Sequence, residues 1–263
     1  MTARHQRTPD RVIFFGTCLI DLIYPSAGLA AMRLLRGAGL RVSFPQAQTC
    51  CGQPAYNAGF RDEARRVARQ QLDVLAGDST VVVPSASCAG MLREHYPRLF
   101  AGTAEESAAV QLAGRVVELC DFLDRVLDLQ LADHGPPLTV ALHHSCSARR
   151  EMGVAPAAAR LLGRLRNVRV LEPDHAHECC GFGGTFAIKQ PEISAAMAAD
   201  KAGAIAATGA DLLLSQDAGC LMNLDGTARK VGLGFGVQHI AEFLWLRTAG
   251  LGDPKRGSAA PVS

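Results

Sequence analysis

Eight of the nine cysteines in this chain fall into two matched sets: Cys18, Cys50-Cys51-Gly52 and Cys88, then Cys146, Cys179-Cys180-Gly181 and Cys220. The gaps are 32 and 37 residues in the first set and 33 and 40 in the second. A repeat of this kind reads as two equivalent thiolate sites on two equivalent halves. The adjacent pair narrows what those sites can hold. Structural zinc prefers cysteines two to four residues apart, because a short loop brings both sulfurs to one tetrahedral ion, whereas neighbouring side chains diverge. An iron-sulfur cluster offers several irons over a wider body. Adjacent sulfurs can then bind different corners, while Gly52 or Gly181 turns the backbone close to the inorganic core. A thiol-disulfide enzyme would carry Cys-x-x-Cys, and no such pair occurs. The residues favour an iron-sulfur cluster and leave zinc and dithiol chemistry open.

Sulfurs so far apart in sequence need a scaffold that gathers them. Strands are expected at Arg11 to Phe15, Arg41 to Phe44 and Thr80 to Val83, and again at Leu138 to Leu142, Val168 to Leu171 and Asp211 to Ser215. Helices are expected at Ala27 to Gly39, Asn57 to Leu75, Val110 to Leu131 and Pro191 to Thr208. Alternating strands and helices make an α/β fold of parallel βαβ units. Right-handed crossovers put every strand's carboxyl end on one edge of the sheet. Each cysteine group follows a strand, so each set should meet at the carboxyl-edge crevice where open α/β sheets bind ligands. The expected layout is a flexible N-terminus over 1–10, a first half over 11–132, a linker over 133–137 around His134-Gly135-Pro136-Pro137, a second half over 138–246 and a disordered tail over 247–263. The two tandem halves are pseudo-symmetric, each with a small, mostly parallel sheet flanked by helices.

Composition excludes several classes. With 48% hydrophobic residues and a net charge of +2, the chain has core enough for two domains and no basic stripe for nucleic acid. Its one basic run, Arg61 to Arg69, reads as a solvated helix face. No apolar run is long enough to span a bilayer. Val12 to Tyr24 carries Asp21 and lacks a cleavage site, so an export signal is not expected. A cytoplasmic, reducing setting follows, in which clustered cysteines serve metal or redox chemistry.

The segments Thr17-Cys18-Leu19-Ile20-Asp21, Cys50-Cys51-Gly52-Gln53-Pro54-Ala55, Pro84-Ser85-Ala86-Ser87-Cys88, Cys179-Cys180-Gly181-Phe182-Gly183-Gly184-Thr185-Phe186 and Asp217-Ala218-Gly219-Cys220-Leu221-Met222-Asn223 resemble one family closely. It is the lactate-utilisation protein A family of cysteine-rich (CCG) domain proteins, related to the CCG-containing component of heterodisulfide reductase and to iron-sulfur subunits of glycolate and glycerol-3-phosphate oxidising complexes. The resemblance runs from about residue 11 to 246. It implies an electron-transferring iron-sulfur subunit of a complex that oxidises L-lactate to pyruvate without a nicotinamide cofactor, with partner subunits that include a ferredoxin-like one. The ligands would be Cys18, Cys50, Cys51 and Cys88 in one half and Cys146, Cys179, Cys180 and Cys220 in the other. Four thiolates per half suit a 4Fe-4S cluster, one or two per chain. Heterodisulfide reductase-like members close each motif with Cys-x-x-Cys. Here Ser85 and Asp217 replace the first cysteine of that pair, either as oxygen ligands or leaving an iron open. Ser147 stands where relatives often carry histidine. The same resemblance admits a disulfide reductase, a glycolate or glycerol-3-phosphate system, or a non-catalytic metal-stabilised scaffold. Nothing in the residues themselves specifies lactate, and any flavin must come from another subunit.

The remaining candidates are second to these. Gly52, Gly181, Gly183 and Gly184 are expected to wrap the cofactor. Of His143, His144, His175 and His177, which crowd the second site, His143 is the best candidate to tune or ligate a cluster. Cys120 is expected in the core, Lys189 in solvent, and Asp21 and Asn223 at helix starts.

Overall fold

The computed structural model describes residues 9–248. Each half is a four-stranded parallel sheet. The first has the order β2-β1-β3-β4, built from β1 (Arg11–Phe14), β2 (Arg41–Ser43), β3 (Thr80–Val83) and β4 (Val116–Glu118). The second repeats it as β6-β5-β7-β8, built from β5 (Leu138–Leu142), β6 (Val168–Leu171), β7 (Leu212–Ser215) and β8 (Gly236–His239). In this order the chain leaves β1 toward one side of the sheet and returns past it to β3. A crevice therefore opens between the carboxyl ends of β1 and β3, and likewise of β5 and β7. Cys18 follows β1 and Cys88 follows β3; Cys146 and Cys220 hold the matching places in the second half.

Two expectations need correction. The segment 110–131 is not one helix: it is helix Glu106–Ala113, strand β4 and a helical stretch over 119–126. Gly114 stops the first helix, and Val116 and Val117 pair with Val81 and Val82. The Arg115 guanidinium fixes that turn by donating to the Ser79 carbonyl at 2.6 Å and the Leu75 carbonyl at 2.7 Å. The expected helix at 57–75 is broken by Gly59, whose φ of 86° suits glycine, into Gln53–Asn57 and Arg61–Val74. Of the expected flexible ends, residues 1–8 and 249–263 lie outside the described residues. Arg247 and Thr248 are the last turn of helix Ile240–Thr248.

The halves complete each other's packing. Helix Pro25–Gly37 of the first half lies against Ile240–Thr248 of the second, and helix Ala155–Gly163 of the second lies against 119–126 of the first. One core runs through both, with Phe14, Leu35 and Val82 joined to Leu142, Leu161 and Leu244. The connection between halves is pinned as well. Buried Arg247 donates to both carboxylate oxygens of buried Asp133, at 2.8 and 2.9 Å, and to the Pro136 carbonyl at 2.6 Å. Among the described residues no helix is long and apolar enough to cross a membrane.

Candidate metal centre

The carboxyl edges of the two sheets face a common cavity of about 200 Å³, and all eight cysteines of the two sets line it. Within each set the thiols touch in sequence. Cys18 meets Cys50, which meets Cys51, and Cys51 lies 3.4 Å from Cys88 between sulfurs. In the second half Cys146 meets Cys179, Cys179 meets Cys180, and Cys180 lies 3.0 Å from Cys220.

Backbone geometry explains how adjacent cysteines share one site. Gly52 and Gly181 sit at φ of 86° and 79°, in the left-handed region, and each turns its amide back to donate to the first sulfur of the pair at 3.4 Å. A Cβ on Gly181 would lie 2.6 Å from the Ser194 carbonyl oxygen, so only glycine fits there. Gly183 and Gly184 line the cavity too, also at positive φ. The second carbonyl of each pair is held by a side chain that lies beyond the last cysteine in sequence. Tyr96 donates to Cys51 O at 2.9 Å, and Asn223 donates to Cys180 O at 2.7 Å. Asn223 therefore fixes the cysteine loop and does not cap its helix. Before Cys18, Thr17 adopts φ of 59°, a strained conformation for a β-branched residue that costs roughly 1–3 kcal/mol and is typical of functional sites.

Electrostatics shows that the thiols of each quartet compete for ionisation. Hydrogen bonds from Cys18 and Cys51 pull the Cys50 thiol down to about 3, and those from Cys146 and Cys180 pull Cys179 to about 2. The cost falls on the neighbours. Contact with Cys50 pushes Cys18 and Cys51 up, and contact with Cys179 does the same to Cys146 and Cys180, with burial adding in every case. Four sulfurs this close cannot all ionise by themselves. A polycationic centre bound by all four would remove that conflict, so the donor set fits an iron-sulfur cluster.

Ser85 and Asp217 meet each other across the two halves. Asp217 accepts from Ser85 Oγ at 2.6 Å, from Ser87 Oγ at 2.7 Å and from the Ser87 amide at 3.1 Å, while its other oxygen accepts from Ser145 Oγ. Both carboxylate oxygens are engaged, so Asp217 ties serines of the two halves together in the wall of the same cavity that the cysteines line. Of the four histidines, His143 is the one at the sulfurs. It is 1% exposed, and a ring nitrogen lies within 4.8 Å of the Cys180 and Cys220 sulfurs. Burial, with Lys201 nearby, drives its pKa down to about 3 and keeps the ring neutral. His144 is half-buried nearby, His175 pairs with Glu178 at 2.9 Å in an exposed position, and His177 meets Arg149. Cys120 is in the shared core. Lys189 sits with its ammonium 5.2 Å from the centre of the Phe60 ring, and the basic run pairs Arg65 with Asp62 and Arg69 with Glu105.

Tyr96, Gln71 and Lys201 also serve the site and have no local signature, because each acts on a residue far away in sequence. Buried Gln71 binds both the amide and the hydroxyl of Thr49, just before Cys50, and buried Lys201 donates to the His175 carbonyl before Cys179.

Comparison with known proteins bears on this arrangement. The cysteine-rich (CCG) domain family matches residues 12–93 and 140–225, one copy in each half. Lactate utilization protein A of Geobacillus kaustophilus is 44% identical over 238 residues, covering 89% of this chain and 98% of that protein. Lactate utilization protein A of Geobacillus thermodenitrificans is 42% identical with the same coverage, and Lactate utilization protein A 2 of a Bacillus cereus strain is 38% identical, covering 89% of this chain and 97% of that protein. A hypothetical protein from Helicobacter pylori has the same fold, with a TM-score of 0.64 at 11% identity over 91% of this chain. This chain spans about half (49%) of that one.

Proposed function

Because the chain belongs to the lactate utilization protein A family of cysteine-rich domain proteins, we propose that it is an electron-transferring iron-sulfur subunit of a multi-protein system that oxidises lactate to pyruvate in the cytoplasm. The observation that carries this reading is the convergence of all eight repeated cysteines on one cavity between the halves. Cys18, Cys50, Cys51 and Cys88 would hold one cluster, and Cys146, Cys179, Cys180 and Cys220 the other. A bound cluster supplies reversible one-electron storage. The chain's own residues make that useful. The Gly52 and Gly181 amides donate to ligand sulfurs and stabilise the added negative charge of a reduced state. Burial of Cys51, Cys180 and Cys220 keeps water from the inner sulfurs. The helix starting at Ala218 presents its positive end near Cys220 in the same sense.

The partner subunits, among them a ferredoxin-like one, would deliver or accept electrons at the cavity mouth, with the substrate's electron pair first handled on another chain. Anaerobic purification with iron and acid-labile sulfide analysis tests the reading, and electron paramagnetic resonance of the reduced protein counts the clusters. Stoichiometric zinc without sulfide would sink it.

A further inference from the structure

The two quartets share a backbone plan but not their surroundings, and the difference lies at one pair of matched positions. Phe15 is the residue after β1 and stands three before Cys18; His143 is the residue after β5 and stands three before Cys146. Their backbones are equivalent. The Phe15 amide donates to Val82 O at 3.0 Å in β3, and the His143 amide donates to Leu214 O at 2.9 Å in β7. Both side chains are buried, at 0% and 1% exposure. The first half thus shows that a hydrocarbon ring satisfies this position.

In the second half the ring carries two nitrogens, and neither has a hydrogen-bond partner. A buried polar atom left without a partner costs about 1–3 kcal/mol, so a histidine here must be matched by something that binds nitrogen. The metal-ligating groups grouped with it are sulfurs. A ring nitrogen of His143 and the sulfurs of Cys180 and Cys220 all lie within 4.8 Å of one another, close enough to share one metal ion.

Resting on the iron-sulfur reading above, we propose that the two centres are chemically unequal. The first is bound by sulfur alone, and the second also takes a nitrogen ligand from His143 beside Cys180 and Cys220. Imidazole is a neutral donor, so it replaces or supplements a thiolate without adding negative charge. Where the imidazole takes the place of one thiolate, the shell carries one negative charge fewer, and the second centre then holds an added electron more readily than the first.

The test uses the full chain, loaded anaerobically and labelled with 15N-histidine, and measures nitrogen coupling to the reduced clusters by electron-nuclear double resonance. One of the two cluster signals should show the strong coupling of a directly bound nitrogen. His143→Phe, which installs the first half's residue, should abolish that coupling and leave the other signal unchanged. Iron- and sulfide-loaded protein with no strong coupling, or coupling that survives in His143→Phe, overturns the proposal while leaving the iron-sulfur reading intact. Absence of iron and sulfide instead defeats that underlying reading. Cobalt(II) titration of the metal-free full chain then decides the nitrogen ligand separately. His143→Phe should weaken one class of cobalt site about tenfold or more and spare the other. Equal affinities for wild type and His143→Phe overturn the assignment.

Discussion

Behind the first quartet stand Phe15 and Gln71, both uncharged; behind the second, in the corresponding places, stand His143 and Lys201. Lys201 is 1% exposed, and its charge reaches the Cys180 and Cys220 thiols. The parts that gather the sulfurs are the same in both halves: the Cys-Cys-Gly turn, the glycine amide on the first sulfur and a side chain on the second carbonyl. The difference teaches that the repeat keeps how sulfur is gathered and lets the electrostatics behind it diverge. On the proposed reading, two clusters gathered alike in unequal surroundings would differ in potential, and that difference would give an electron a direction.

Four measurements can break or sharpen this contrast, beginning with the largest effect. Cys51→Ser should remove about half of the bound iron and sulfide, as should Cys180→Ser, because each cysteine belongs to one quartet only; loss of all iron from either variant would mean that the centres are not separate. Asp217→Asn should cost roughly 1–3 kcal/mol in denaturant unfolding, since Asp217 accepts from serines of both halves. Ser85→Ala should cost less, and equal costs would refute the view that Asp217 is the hub. Lys201→Gln, which copies Gln71, should lower the second centre's potential by on the order of 60 mV, a tenfold change in a one-electron equilibrium. The first centre should stay put in the same redox titration; parallel shifts would show one electronic unit.

The last measurement concerns Glu118 and His239, matched residues at the ends of β4 and β8. Burial, reinforced by the Asp217 and Asp121 charges, pushes Glu118 up from 4.5 to about 8. The folded chain then keeps a proton that the unfolded chain releases, so stability declines as pH rises from 4.5 to about 8 and levels off above. His239 has the opposite sign. Burial lowers its pKa, so its contribution is lost as pH falls below about 6.5. Glu118→Gln should flatten the decline of unfolding free energy between about pH 6 and 8, by at most about 1.4 kcal/mol per pH unit. An unchanged slope would place the carboxyl's titration elsewhere.

Where local patterning and tertiary structure agree, the sequence was legible. Strands Thr80–Val83, Leu138–Leu142 and Val168–Leu171 stand where their β-branched and apolar runs put them. Strand β4 was hidden because Val116, Val117 and Glu118 sit inside a window whose apolar spacing also suits a helix, and pairing with β3 decides the matter. The cysteines advertise their role by repetition. Ser85 and Asp217, conspicuous as departures from a cysteine pattern, turn out to bond each other, a pairing 132 residues apart that no local reading reveals. Tyr96 and Lys201 were silent for the same reason: each holds a distant carbonyl.

The interlocked helices carry a consequence for how the protein comes to be. The surface that Pro25–Gly37 presents is covered by Ile240–Thr248, among the last described residues to leave the ribosome. The amino-terminal half therefore keeps its apolar face open and its four thiols unguarded until residues 240–248 have been made. A chain cut at residue 132 should aggregate instead of yielding a stable single lobe, which size-exclusion chromatography of that fragment would check.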